Sequence, residues 1–228
     1  MKLWKPLVFA ILVTLGMNAL DMLFHVATET AVHLNYVAVK FTIVFVSVFL
    51  VAWLVGIGRT PGIVTSLLGP GMFYIYYRVA TPTLERSLFR IDDAVLYIVV
   101  HAIALALVYW LATRVMKKES GSLSFATLTS LAALPLHWGW IMFVIKWTGG
   151  LDGDTTKALT LNAGLIALVV LWILCYFASW ISNRWIAAAG AGIVFAIASM
   201  FLGATAIGGV ARVFVLGVPY LLATELKR

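Results

Sequence analysis

Eight long apolar segments dominate this sequence and determine what the chain can fold into. Each is close to the roughly 20 residues that an α-helix needs to cross about 30 Å of hydrocarbon. Because backbone groups must be paired in lipid, and because the segments are too long for barrel strands, we expect helices. The sequence therefore predicts an all-α, polytopic transmembrane helical bundle that forms a single integral membrane domain, residues 1–228. The predicted helices are 6–27, 36–57, 61–79, 93–115, 124–146, 158–181, 185–204 and 208–224.

The composition excludes an ordinary soluble domain. Hydrophobic residues make up 63% of the chain and charged residues 11%, whereas a soluble domain is about half apolar and about a quarter charged. A chain of 228 residues cannot enclose that much apolar volume, so much of it must face lipid. The formal net charge is +7, and the basic residues flank apolar segments. We therefore expect membrane lipids, and no nucleic acid, as partners.

The charged residues are sorted between the two ends of the apolar segments. If the N-terminus is cytoplasmic, the cytoplasmic side carries the entire net charge of +7, as the positive-inside rule describes. We therefore predict a multi-pass protein of the cytoplasmic (inner) membrane with its N-terminus in the cytoplasm. The cytoplasmic side has the basic residues Lys2, Lys5, Arg59, Arg114, Lys117, Lys118, Arg184, Lys227 and Arg228 against Glu119 and Glu225. The other side balances Lys40, Arg78, Arg86, Arg90, Lys146, Lys157 and Arg212 with Asp21, Glu29, Glu85, Asp92, Asp93, Asp152 and Asp154.

Two segments are weaker than the others, which leaves the count at seven or eight membrane helices. Segment 61–79 contains a Gly-Pro-Gly sequence at its centre, which predicts a kinked, broken or re-entrant helix. A re-entrant segment would place the lysines at 117–118 outside, so the charge pattern favours a full span. Segment 208–224 is short and contains Arg212, and partial insertion of this last segment is the seven-helix alternative.

Ionisable residues concentrate in the predicted outer half of the membrane. Asp21, His25 and Glu29 are spaced four apart and therefore stack on one helix face, with Asn18 on the same side one turn deeper. The fourth helix repeats this spacing from its outer end, and further ionisable groups lie at similar depth in the second, fifth and eighth segments. Because an isolated charge in lipid is costly, these groups should pair or line a wet cavity. The predicted polar cavity comprises Asp21, His25, Glu29, Lys40, Asp93, Tyr97, His101, His137 and Arg212.

Three interpretations of these residues remain open. Carboxylate and imidazole groups at i,i+4 can chelate a divalent metal, with ligands completed from neighbouring helices. Alternatively, the groups form a proton, ion or solute pathway. Thirdly, they form structural ion pairs, with Asp21 and Glu29 bound to Lys40, Arg78 or Arg86. The candidate metal ligands are Asp21, His25, Glu29, His101 and His137, and His101 with His137 could also ligate a haem.

Two further patterns concern partners. The 80–92 linker is predicted to form a short interfacial helix, so Arg78, Arg86 and Arg90 are candidates for binding a lipid headgroup or an anionic solute. In the seventh segment, small residues recur four apart at Ala188, Gly192 and Ala196. Such a stripe lets helix backbones approach closely, either inside the chain or in a homo-oligomer.

No catalytic motif names a reaction for this chain. The leading hypothesis is transport or permeation of a small solute or ion through the polar cavity. One alternative is an intramembrane enzyme, dependent on a metal or on acid/base groups, that acts on a lipid-like substrate. The other is a non-catalytic lipid-binding or scaffold protein of the membrane.

Overall fold

The computed structural model describes residues 3–27, 34–80, 94–119, 121–148, 161–201 and 204–228, and within these ranges it is helical and contains no strand. The all-α prediction is confirmed, and seven of the described helices are long and apolar enough to cross a membrane. The helices are α1 (Trp4–Ala27), α2 (Leu34–Leu54), α3 (Arg59–Ala80), α4 (Ala94–Met116), α5 (Ser122–Thr148), α6 (Leu161–Ala178), α7 (Arg184–Phe201) and α8 (Ala206–Lys227). These findings support a multi-pass membrane protein.

Helix ends coincide with capping residues that satisfy the first backbone N–H groups. The Asn183 side-chain oxygen accepts hydrogen bonds from the backbone N–H groups of Trp185 (3.0 Å) and Ile186 (3.3 Å), where α7 begins. Thr205 caps α8 in the same way, because its hydroxyl oxygen accepts from the Gly208 N–H at 3.2 Å. The starts of α7 and α8 are therefore set by local chemistry as well as by the change from polar to apolar sequence.

The third helix excludes two of the three forms that its Gly-Pro-Gly sequence left open. Arg59–Ala80 is one continuous helix with Pro70 inside it, so the broken and re-entrant alternatives are wrong. The eighth helix has 22 residues and belongs to the seven that are apolar enough to span, whereas α3 does not. The less apolar helix is thus the third, not the last as the seven-helix alternative assumed.

The chain divides into two compact units, Met1–Thr113 and Arg114–Arg228. In the first unit α2 lies against both α1 and α3. Aromatic rings join α4 to α1, since Phe9 and Tyr109 meet edge to face with centroids 4.8 Å apart. The expectation of one membrane domain over residues 1–228 stays a prediction.

Small residues hold α7 and α8 together in the second unit. A Cβ atom placed on Gly192 would lie 2.6 Å from the Val213 carbonyl oxygen, so the two backbones are nearly in contact there. The contact continues in both directions, since Gly217 faces the carbonyl of Ala188 and Gly209 faces that of Ala196. The predicted small-residue stripe therefore packs inside the chain, and a homo-oligomer formed through Ala188, Gly192 and Ala196 stays a prediction.

Charged residues meet at one end of this second unit. Arg184, at the start of α7, forms an ion pair with Glu225 near the end of α8. Lys227 places its Nζ atom 5.9 Å from the centre of the Phe125 ring at the start of α5. Arg184, Glu225 and Lys227 thus share one end of the unit, as the charge distribution requires of residues on one side of the membrane.

Candidate functional site

A buried carboxylate with three basic neighbours forms the candidate site in the first unit. Asp21 Oδ1 lies 2.5 Å from Lys40 Nζ and 2.5 Å from His101 Nε2. His25 Nε2 lies 3.6 Å from the same oxygen. We call Asp21, His25, Lys40 and His101 the Asp21 cluster. Of the three partners that the sequence left open for Asp21, the structure places Lys40 beside it, and His25 and His101 approach the same oxygen.

The positions of these residues along three helices bring them to a common level. Asp21 lies six residues before the end of α1, Lys40 six residues after the start of α2, and His101 seven residues after the start of α4. At about 1.5 Å per residue, each is about 9–10 Å from its helix end. The i,i+4 spacing then adds His25 to the face of α1 that carries Asp21.

All four side chains of the cluster are buried. The side chains of Asp21, His25, Lys40 and His101 are at most 3% exposed. Phe73 of α3 covers the lysine, with Lys40 Nζ 5.9 Å from the centre of its ring, which is within the range of a cation–π contact. Burying a carboxylate and an ammonium costs several kcal/mol per ion before their attraction offsets it. Only mutual pairing makes these residues tolerable inside apolar helices.

The hydrogen bonding of the cluster follows from its charges. An ionised carboxylate only accepts hydrogen bonds, whereas an ammonium only donates. Lys40 therefore donates to Asp21 Oδ1, and the Nε2 atom of His101, at 2.5 Å from the same oxygen, must carry a hydrogen to donate as well. Asp21 is thus the common acceptor that holds α1, α2 and α4 together at this level.

The cluster does not have the arrangement of a metal site. In the described ranges, no group of three or more His, Cys, Asp or Glu side chains is positioned to hold a metal ion. The Lys40 ammonium lies 2.5 Å from Asp21 Oδ1, where it repels a divalent cation. The described residues therefore do not show the metal site predicted from Asp21, His25, Glu29, His101 and His137, and because Glu29 lies outside them that site stays a prediction.

Two other predicted cavity residues lie in the second unit. His137 is buried on α5, and its ring meets Phe195 of α7 edge to face at 5.3 Å. Arg212 is buried on α8. Their participation in a cavity with the Asp21 cluster stays a prediction, as does haem ligation by His101 and His137.

The remaining predicted site residues fall outside what the structure describes. Tyr97 lies on α4 and Arg78 on α3, but their side chains are not among those described. The headgroup-binding prediction therefore stays a prediction. Wholly outside the described residues are Glu29, Asp93, Arg86 and Arg90.

One polar residue on the Asp21 face was missed by the sequence analysis. Thr14 is fully buried and lies seven residues before Asp21, with Asn18 between them. Residues 14, 18, 21 and 25 fall within about 60° of arc, given about 100° per residue. Thr14, Asn18, Asp21 and His25 therefore form one polar stripe along α1, and their four-three-four spacing is the signal that could have revealed it.

Comparison with known proteins finds no matching family model, no similar curated protein and no similar solved structure. The function must therefore be argued from the side chains themselves.

Proposed function

We propose that the protein moves protons across the membrane and that the Asp21 cluster binds the proton in transit. One observation carries the proposal. A single carboxylate oxygen is approached by one ammonium and two imidazoles, all buried within helices that have the length and composition of membrane spans. Ionisable residues inside membrane helices are most often found at ion pathways and proton relays.

The imidazoles distinguish this cluster from a purely structural ion pair. Asp21 and Lys40 alone would cancel each other's charge and fix α1 against α2. His25 and His101 add two groups of the type that exchanges protons near neutral pH, and both approach the oxygen that Lys40 also approaches. A proton passed between them stays within a few ångströms of the carboxylate, which stabilises the added charge.

The identity of the ion follows from the same chemistry. The Lys40 ammonium supplies a positive charge next to Asp21, so a metal cation is disfavoured at this point. A proton needs no coordination shell, because it is carried by the imidazole or the carboxylate itself. The cluster therefore favours proton transfer over the binding of a metal ion.

The direction of insertion completes the proposal. We infer a cytoplasmic N-terminus in the cytoplasmic membrane, since this orientation assigns the net charge of +7 to the cytoplasmic side. The Asp21 cluster then lies in the half of the bilayer that is remote from the cytoplasm, about 9–10 Å from the ends of its helices by the rise per residue.

Proton flux into liposomes tests the proposal. Purified protein is reconstituted in vesicles that contain a pH-sensitive dye, and a valinomycin-clamped potassium gradient supplies the driving force. We expect wild-type vesicles to acidify faster than protein-free vesicles. Asp21→Asn should reduce the rate to that of protein-free vesicles, because the central acceptor has lost its charge.

Two further variants separate loss of the site from loss of the fold. The double variant Asp21→Asn/Lys40→Met removes both charges together, so no unpaired ion remains buried, and it should fold but not conduct. Thr129→Val changes a buried hydroxyl of α5 that bonds to its own helix at 2.8 Å, and it should conduct as wild type does. Wild-type vesicles that acidify no faster than protein-free vesicles would overturn the proposal.

A further inference from the structure

We infer that the proton path continues from the Asp21 cluster, through Asn18, to a second polar layer formed by Thr14, Ser47 and Ser66, and that this stretch binds water molecules. The inference rests on the proposed function and adds the route and its ligand. The layer lies two helical turns deeper than Asp21 on α1, Lys40 on α2 and Phe73 on α3. It consists of small hydroxyl side chains that are all buried.

The register of three helices places these hydroxyls at one level. Thr14 lies seven residues from Asp21 on α1, Ser47 seven residues from Lys40 on α2, and Ser66 seven residues from Phe73 on α3. Seven residues make nearly two full turns. Each hydroxyl therefore lies on the same helix face as the residue seven positions away, at a distance of about 10 Å along the axis. In all three helices the hydroxyl lies farther than that residue from the helix end nearest the Asp21 cluster.

Contacts halfway down this stretch support the register. Gly69 lies four residues from Phe73, and a Cβ atom placed on it would be 3.8 Å from Val44 Cγ2 and 3.3 Å from Leu105 Cδ2. Val44 and Leu105 lie four residues beyond Lys40 and His101. One turn below the cluster, α2, α3 and α4 therefore still face one another at matching positions.

Two polar atoms on α1 indicate what the stretch binds. Asn18 donates from Nδ2 to the Thr14 carbonyl at 2.8 Å. Its Oδ1 atom and the Thr14 hydroxyl, although buried, have no hydrogen-bond partner among the described residues. A buried polar atom without a partner is costly, and in proteins such atoms are usually satisfied by ordered water. One such atom on Asn18, between Asp21 and the hydroxyl layer, and one on Thr14 within that layer assign water as the ligand.

The hydroxyl layer can continue this hydrogen-bonded path. Ser47 and Ser66 donate to carbonyls of their own helices at 2.8 Å and 2.7 Å, which leaves lone pairs of both oxygens to accept from water. Pro70 has no N–H group to donate to the Ser66 carbonyl, which adds a backbone acceptor at the same level. Water bound here has a donor on α1, the Thr14 hydroxyl, and acceptors on α1, α2 and α3.

The experiment compares proton flux in the reconstituted wild type, Thr14→Val, Thr14→Ser and Asn18→Leu. Loss of a hydrogen-bonding group from the path should lower the rate of acidification about tenfold in Thr14→Val and Asn18→Leu. Thr14→Ser keeps the hydroxyl and should conduct close to the wild-type rate. Thr14→Val should unfold at the wild-type temperature, since the Thr14 hydroxyl makes no hydrogen bond to a described residue. Thr129→Val is the matched control in the second unit.

The outcomes separate this inference from the proposed function. If the wild type conducts, Asp21→Asn does not, and both Thr14→Val and Asn18→Leu conduct as wild type does, the route is wrong although the proton-binding cluster stands. If Thr14→Ser loses flux as severely as Thr14→Val, the hydroxyl is not the relevant group and the inference fails. If the wild type itself does not conduct, the proposed function fails first.

Discussion

Asp21 on α1 and Lys40 on α2 place a carboxylate oxygen and an ammonium nitrogen 2.5 Å apart, with side chains that are only 2% and 1% exposed. The pair joins two helices that are neighbours along the chain. Because neither charge is accessible to solvent, the stability of this part of the fold depends on both residues being present.

Removing one charge of this pair should destabilise the protein more than removing both. Asp21→Asn or Lys40→Met leaves the other ion buried without its partner, which typically costs about 3–5 kcal/mol. The double variant leaves no buried charge and should recover much of that loss. Unfolding of the purified protein by denaturant in mixed micelles measures the three free energies, and the coupling is read from the double-mutant cycle.

The ion pair between Arg184 and Glu225 provides the control. Its side chains are 22% and 26% exposed, so Glu225→Gln should cost no more than about 1 kcal/mol. Equal costs for Asp21→Asn and Glu225→Gln would contradict the view that the Asp21 pair is shielded from solvent.

The two imidazoles of the cluster should differ in their effect on stability. His101 Nε2 is within hydrogen-bonding distance of Asp21 Oδ1, whereas His25 Nε2 is 3.6 Å away. His101→Leu removes a charge-assisted hydrogen bond and should lower the free energy of unfolding by about 1.5–3 kcal/mol. His25→Leu should cost less, since its contact with Asp21 is longer. Thermal unfolding in detergent checks the order, and a larger loss in His25→Leu would contradict the geometry.

Much of the fold was predictable because lipid imposes simple requirements. A helix must contain a minimum number of apolar residues to cross, so long apolar runs reveal helices whatever their packing partners are. For α3, the Gly-Pro-Gly centre left a kinked, a broken and a re-entrant segment open, and only the charge pattern favoured a full span. The structure keeps the helix continuous through Pro70, since a membrane helix tolerates proline when neighbouring helices and Ser or Thr side chains satisfy the freed backbone groups.

The site was predictable only in part, because depth does not specify neighbours. Counting residues from helix ends placed Asp21, Lys40 and His101 at one level, and they do meet. The same counting grouped His137 with them; its ring meets Phe195 within the second unit, and its place beside the Asp21 cluster stays a prediction. The depth of a residue does not predict which way its side chain faces, because the rotation of each helix about its axis depends on tertiary packing.

The role of individual hydroxyls was equally inaccessible from sequence. Threonine in a helix commonly bonds to the carbonyl four residues earlier. Thr65 does so at 2.7 Å, whereas the Thr14 hydroxyl finds no partner among the described residues. The two residues are the same in type and both fully buried, so neither residue type nor burial predicts which hydroxyl bonds to its own helix.

The close contact of α7 and α8 predicts a position-specific effect of glycine substitution. Gly192→Ala would place a methyl group 2.6 Å from the Val213 carbonyl oxygen and 3.1 Å from its Cα atom. Backbone atoms cannot rotate away, so the helices must separate, at a cost of about 1–3 kcal/mol. Gly190→Ala, two residues earlier on the same helix, meets nothing within 4 Å and should not destabilise. Denaturant unfolding in micelles compares the two, and equal stability of both variants would contradict the observed packing.

The packing of α3 predicts that it crosses the membrane although it is less apolar than the other seven helices. It meets α2 at Lys40 and Val44 through Phe73 and Gly69. It also meets α4 at Gly62, since a Cβ atom placed on Gly62 would lie 2.8 Å from the Tyr109 ring. Gly62 is 11 residues before Phe73. A helix that stays beside its neighbours over about 16 Å, at about 1.5 Å per residue, runs alongside them through the hydrocarbon.

Cysteine labelling in intact cells tests this crossing. With α3 spanning and the N-terminus cytoplasmic, Lys117→Cys between α4 and α5 should react with a membrane-impermeant maleimide only after the cells are permeabilised. The native Cys175 is buried and should contribute little signal. Val55→Cys lies between α2 and α3, so its side of the membrane does not depend on α3 and it serves as the control. If Lys117→Cys is labelled in intact cells while Val55→Cys is protected, one of the two helices between these positions does not cross. Since α4 is long and apolar enough to span and α3 is not among such helices, that result would contradict the crossing of α3.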